Sequence, residues 1–184
     1  MPSRRTPFQA GNFYHIYNRG NNRQNIFFER DNYIHFLHLM REHLAIDGVD
    51  ILAYCLMPNH YHFLVCLQYD NLSAAMHRLS VAYTKGINKR FNRSGSLFEG
   101  RFQSIHVSDP NYLIHLSRYI HLNPVKAGFI DRAEEWEFSS YPEYAGLRSG
   151  TLPQMEHLKL QFLPESIDRE FSIDDNLQQL LLDW

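Results

Sequence analysis

Met57-Pro58-Asn59-His60-Tyr61-His62-Phe63-Leu64-Val65 sets two histidines two residues apart inside an apolar run. Alternate residues of a β-strand point to one face, so this spacing predicts both imidazoles on one side and Tyr61, Phe63 and Val65 on the other. Paired imidazoles on one face of a stiff strand supply part of a metal site. The competing reading is a pair of strand histidines satisfied by hydrogen bonds. A third ligand and a chemical purpose have to come from the rest of the chain.

Working outward, Val49 to Leu56 reads as a strand, and Pro58-Asn59 turns it into a further strand, His60 to Leu67. Before them, Arg30 to Ile46 carries Tyr33, Phe36, Leu37, Met40 and Leu44 at helical spacing, closed by Asp47-Gly48. The aromatic stretch Asn12 to Asn18 is a first strand, ended by Arg19-Gly20-Asn21-Asn22. After them, a helix is expected from Leu72 to about Phe91, with Leu72, Ala75, Met76, Leu79, Tyr83 and Ile87 as its apolar stripe. Ser104 to Ser108 reads as a fourth strand. Asp109-Pro110 then opens a helix to about Leu122, with Asn123-Pro124 expected to end it. The order β-α-β-β-α-β plus a helix predicts an α+β, ferredoxin-like antiparallel sheet with an additional C-terminal helix. In that topology the first and third strands are the central pair, which puts His60 and His62 mid-sheet. The expected division is a main domain over 1–150 and an acidic extension over 151–184, with a short helical piece at Asn176 to Leu182.

The chain has 184 residues and two cysteines, Cys55 and Cys66, both in apolar strand-like runs. They read as reduced core residues of a cytoplasmic protein. Cys66 shares a strand face with His62 but lies about 13 Å further on, too far to ligate with it. No apolar run approaches a membrane span, and no apolar core follows Arg4 and Arg5, so the start reads as no secretory signal. A net charge of −2 hides an asymmetry: fifteen basic against nine acidic residues up to Arg132, then three against eleven. Arg78, Lys85, Lys89, Arg90, Arg93 and Arg101 face only Glu99 in their stretch. Such a basic block suits a polyanion, nucleic acid first, although charge runs also serve simply as solvated faces. Arg4, Arg5, Arg19 and Arg23 are further candidates for backbone contact. Phe98 and Phe102 read as core residues before base-stacking ones.

In the helix before Pro124, Leu113, Leu116 and Ile120 bury one side, while Tyr119 and Asn123, four apart, share another, with His115 one turn earlier. A phenol and a carboxamide oxygen near paired imidazoles would place a nucleophile beside a metal. Taken singly, a helical Tyr is packing and an Asn before Pro a terminator.

Pro58-Asn59-His60-Tyr61-His62 resembles the His-hydrophobe-His motif of the HUH superfamily of single-strand nucleases. Together with Arg118-Tyr119-Ile120-His121-Leu122-Asn123-Pro124-Val125-Lys126-Ala127-Gly128 it resembles the single-tyrosine transposases, particularly the REP-associated branch of bacteria. Tyr14-His15-Ile16-Tyr17-Asn18-Arg19-Gly20, Gly95-Ser96-Leu97-Phe98-Glu99-Gly100-Arg101-Phe102 and Phe138-Ser139-Ser140-Tyr141 agree in order, so the likeness spans residues 12–145. It implies His60, His62 and Asn123 as ligands of Mg²⁺ or Mn²⁺, and Tyr119 as nucleophile. It also implies single-stranded hairpin DNA as partner, a 5′-phosphotyrosine intermediate, and a monomer or homodimer with the tyrosine used in cis or in trans. His115 is a candidate helper for ionising the phenol. Two rival classes remain open at this level: a water-using metal-dependent nuclease, and a non-catalytic ferredoxin-like nucleic-acid-binding protein.

Overall fold

The computed structural model describes residues 7–159; Arg4, Arg5 and the helix expected at Asn176 to Leu182 lie outside them. The elements follow the expected order: β1 (Phe13–Arg19), α1 (Arg30–Met40, running on into a π-helical turn), β2 (Val49–Met57), β3 (His60–Leu67), α2 (Leu72–Arg90), β4 (Gln103–Val107) and α3 (Pro110–Lys126). The four strands form one antiparallel sheet in the order β2-β3-β1-β4, with β3 and β1 central. The short helices α4 (Tyr141–Tyr144) and α5 (Glu156–Lys159) follow α3.

Strand alternation divides the apolar residues between two cores. From β3, Tyr61, Phe63, Val65 and Leu67 pack against Phe36 and Met40 of α1 and Met76, Leu79 and Tyr83 of α2. Leu64 and Cys66 face Leu113, Leu116 and Ile120 of α3 on the other side. The sheet is therefore a wall between an α1/α2 layer and an α3 layer, and the period-two pattern sorts the residues. A bulge in β2 between Ile51 and Ala53 shifts the register, which lets Leu52 and Ala53 both reach the α3 side. Phe98 and Phe102 are core residues: Phe98 lies edge-on to Tyr61, and Phe102 stacks on Phe8. Cys55 and Cys66 are both buried and unpaired.

The last turn of α3 corrects one expectation. Pro124 does not end the helix, which continues to Lys126. Proline removes one N–H, yet the backbone there is closed from the other end. Gly128 N–H bonds the Val125 carbonyl at 2.9 Å and Phe129 N–H bonds the Pro124 carbonyl at 3.0 Å. This is a Schellman closure, and it needs the left-handed φ of +71° that Gly128 adopts.

After α3 the chain straps the open edge of β2. Leu56 N–H bonds the Phe138 carbonyl at 2.9 Å, Ser140 N–H the Tyr54 carbonyl at 3.0 Å, and Gln154 N–H the Ile51 carbonyl at 2.7 Å. Ser140 Oγ accepts the Tyr54 N–H at 2.9 Å and meets His121 Nε2 of α3 at 2.7 Å. Leu152 and Leu158, beyond the expected boundary at Gly150, are buried in the α1/α2 core and the α3 core respectively. Arg148 ties the strap together, donating to the Glu143 carboxylate at 2.6 Å and to the carbonyls of Ser139 and Glu137, each at 2.7 Å. Glu143 is buried, so Arg148→Ala strands a carboxylate in a dry site. The expected loss is about 2 kcal/mol in urea denaturation, allowing for the partial exposure of the arginine.

Candidate active site

β3 enters the sheet at His60 from a turn that the chain holds firmly. The Pro58 carbonyl accepts N–H groups from Ile26 at 2.8 Å and Phe27 at 3.0 Å, and Gly20 N–H bonds the Asn59 carbonyl at 2.8 Å. Gly20 has to be glycine, because a Cβ there would sit 1.9 Å from the Gln24 carbonyl oxygen. Asn59 Oδ1 lies 2.7 Å from His60 Nδ1, and His62 Nδ1 lies 2.9 Å from Nε2 of His15 on β1. Each imidazole thus uses Nδ1 in a hydrogen bond, which leaves Nε2 as the ligand-capable atom. The two rings are 5.1 Å apart, centroid to centroid.

Tyr119 of α3 comes down on this pair, its ring edge-on to His62 at 5.9 Å between centroids. Asn123 Nδ2 donates to the Tyr119 carbonyl at 3.0 Å, so its Oδ1 is the atom that could ligate. Because α3 runs past Pro124, Lys126 also falls on the Tyr119 side, with Nζ 4.8 Å from the ring centroid. On the other flank, Arg19 pairs with His60 in the β1–β3 register and makes an ion pair with Glu99.

Burial dominates the electrostatics. It pulls His60 down to about 4, with the Arg19 charge pulling the same way, and holds His62 well below its ordinary value, with His15 and His60 adding to the effect. Both rings are neutral near pH 7, as metal ligands must be. Burial raises the Tyr119 phenol to about 12, with Asn123 acting in the opposite direction. Among the described residues no cluster of three His, Cys, Asp or Glu is placed to hold a metal. Any third protein ligand would therefore be of another type, with the Asn123 amide oxygen as a candidate. Two neutral imidazoles with free Nε2 atoms fit a divalent ion, Mn²⁺ more comfortably than Mg²⁺ by donor type.

The basic candidates divide. α2 lies across the sheet from the two histidines. Arg78 is ion-paired with Asp47, at the end of β2 away from the His60 turn. Arg90 lies about 18 Å further along the helix. It pairs with Glu29, and Arg93 lies over the Phe28 ring at 5.5 Å, next to the 26–27 segment that holds the Pro58 carbonyl. Lys85 and Lys89 are exposed between and beside them. Arg101 lines a cleft with Phe8, Phe102 and His77 on the α2 side, not at the histidines.

The sequence profile of IS200-like transposases matches residues 10–123. The chain belongs to the IS200-like transposase family. A Haemophilus influenzae protein named as a REP-associated tyrosine transposase is 29% identical over 111 residues, covering 54% of this chain and 61% of its own length. The chain thus spans about three-fifths of that curated relative. A solved REP-associated tyrosine transposase bound to a REP hairpin superposes with a TM-score of 0.66 at 19% identity, covering 95% of this chain and 99% of the other. At that identity the likeness shows the fold, an α+β antiparallel sheet with packed helices. A Deinococcus radiodurans structure named as a transposase overlays more loosely: TM-score 0.41 at 18% identity, over 65% of this chain and 95% of its own.

Four residues around the candidate site were not singled out from the sequence: His15, Tyr17, Asn59 and Lys126. Tyr17 stands opposite His62 in the β1–β3 register, with its ring 5.9 Å away. Lys126 carried a legible signal, seven residues after Tyr119 on one helix face. His15 and Tyr17 needed the strand register, which sequence does not supply. Among the described residues, no helix is long and apolar enough to cross a membrane.

The buried histidines make stability pH-dependent in the metal-free protein. His15 and His121 are held down to about 3 and His60 to about 4 by burial. The unfolded chain takes up their protons below about pH 6.5 while the folded chain does not. Stability is therefore full above that value and falls as pH drops. Urea melts in EDTA between pH 7 and 5.5 are expected to show a slope above about 1.4 kcal/mol per pH unit, corresponding to more than one proton. A flat profile would contradict the neutral, buried state of these rings.

Proposed function

We propose that this chain cleaves and rejoins single-stranded DNA through a 5′-phosphotyrosine at Tyr119, with Mg²⁺ or Mn²⁺ held by His60, His62 and Asn123. The observation that carries the reading is the approach of the Tyr119 ring to His62 within one chain, 5.9 Å between centroids. The family match supports transposase-type DNA chemistry, and the hairpin bound by the solved relative supports a hairpin substrate. The intrachain contact supports use of the tyrosine in cis by a monomer.

In the reaction, Tyr119 Oη attacks the scissile phosphorus. A tyrosyl–phosphate bond forms, the bond to the 3′ oxygen breaks, and that oxygen leaves with a proton as a free 3′-hydroxyl. Attack by a 3′-hydroxyl reverses the step and joins strands, so no external energy source is required. A bound divalent ion supplies charge stabilisation at the phosphate. The phenol, raised by burial, is protonated at neutral pH and must lose its proton to attack. The Lys126 ammonium over its ring and the Arg19 guanidinium beside His60 both favour negative charge in this cleft, on phenolate and phosphate alike. Arg90 and Arg93, beside the segment that holds the His60 turn, would follow the DNA backbone.

Labelled hairpin DNA incubated with the protein and Mn²⁺, then run on a denaturing gel, tests the chemistry. The expected result is a covalent adduct that Tyr119→Phe lowers at least ~10³-fold and that His60→Ala or His62→Ala also abolishes. Cleavage that survives Tyr119→Phe would point to a water-using nuclease, and binding without cleavage to a non-catalytic module.

Position separates the basic residues. Arg90→Ala with Arg93→Ala is expected to weaken DNA binding and reduce the slope of log K against log salt by about 2, while Arg78→Ala leaves it nearly unchanged. Fluorescence anisotropy titrations from low to moderate salt would read this out.

A further inference from the structure

We infer that His15 is a positioning residue whose Nε2 accepts the Nδ1 proton of His62 and so keeps the His62 Nε2 lone pair available for a metal ion. This deepens the reading above and rests on His62 being a ligand.

His15 is fully buried on β1, the strand antiparallel to β3, and stands opposite Leu64 and Ile105 in its two registers. Its ring lies nearly parallel to that of His62, at 19° and 5.1 Å between centroids, with 2.9 Å between His15 Nε2 and His62 Nδ1. Its Nδ1 is buried and has no hydrogen-bond partner among the described residues. An orphaned buried polar atom costs about 1–3 kcal/mol. An aliphatic side chain on this strand face would avoid that cost, so plain packing gives no reason for a histidine here. The contact with His62 does.

One proton lies between the two nitrogens, and there are two ways to place it. If His15 Nε2–H donates, neutral His62 carries its proton on Nε2, facing the site, and cannot ligate. If His62 Nδ1–H donates, Nε2 of His62 is bare and the His15 proton sits on its own Nδ1. Only the second arrangement is ready for metal, and ion binding selects it. His60 has its counterpart in the neighbouring Asn59 Oδ1, which can only accept. The two ligand candidates are thus oriented by different means: one by a residue adjacent in sequence, the other from the next strand.

Titration of Mn²⁺ alone into the full chain, followed calorimetrically and by the electron paramagnetic resonance of free Mn²⁺, tests this without DNA or turnover. His15→Phe is expected to weaken Mn²⁺ binding about 10- to 100-fold. His15→Gln, whose amide oxygen can take the place of Nε2, is expected to recover most of that loss. Nitrogen-15 NMR of the unaltered protein saturated with Mg²⁺ is expected to show His15 protonated on Nδ1 with a bare, accepting Nε2 opposite His62 Nδ1–H, which tests the hydrogen bond even if His15→Phe fails to fold. Mn²⁺ binding lost in His62→Ala but unchanged in His15→Phe overturns the positioning role, as does a His15 proton on Nε2 in the Mg²⁺-loaded protein. Unchanged binding in His62→Ala overturns the metal reading itself, and this inference with it.

Discussion

A central strand covered on both faces has no side chain it can leave to water, and this constraint shapes the whole site. Strand β3 meets it by alternation: Tyr61, Phe63 and Val65 fill the core under α1 and α2, while Leu64 and Cys66 pack beneath α3. His60 and His62 fall on the α3 side because they share the parity of Leu64. Had the register slipped by one residue, the imidazoles would lie among the aromatic rings of the opposite core, out of reach of α3 and Tyr119.

Placing polar rings in such a layer is tolerable only if they are neutral and hydrogen-bonded. Both conditions are met: burial suppresses the charge on His60 and His62, and each Nδ1 has a partner. The same burial works against Tyr119, because it disfavours the phenolate that the proposed reaction requires. Asn123 opposes this, and two cations, Arg19 from β1 and Lys126 from α3, flank the cleft. The site combines neutral donors with positive flanks, an arrangement suited to a phosphate.

Much of this was legible beforehand. The strand and helix order, the His60–Leu67 strand and the apolar faces of α2 and α3 follow from periods of 2 and 3.6, which sequence records directly. The pairing of Tyr119 with Asn123 on one helix face follows in the same way. What failed was local and informative. Pro124 reads as a stop because proline lacks an N–H, yet Gly128 closes the helix four residues later, and that extension brings Lys126 over the tyrosine. The basic stripe of α2 is not contradicted, but sequence leaves out that Arg78 and Arg90 pair with Asp47 and Glu29 from distant parts of the chain. His15 was invisible as a functional residue because its meaning depends on which strand lies beside β3.

Sequence kinship and mechanical integrity have different boundaries in this molecule. The family profile matches as far as Asn123, inside α3, whereas the fixture that holds α3 in place continues through Ser140. That serine joins three parts at once, since its hydroxyl takes the Tyr54 N–H of β2 and meets His121, two residues from Tyr119. The profile-matched stretch therefore carries His60, His62 and Tyr119, and the segment that follows, Ser140 included, holds α3 against β2. Swapping only residues 10–123 between relatives would move those side chains without the contact that aligns them.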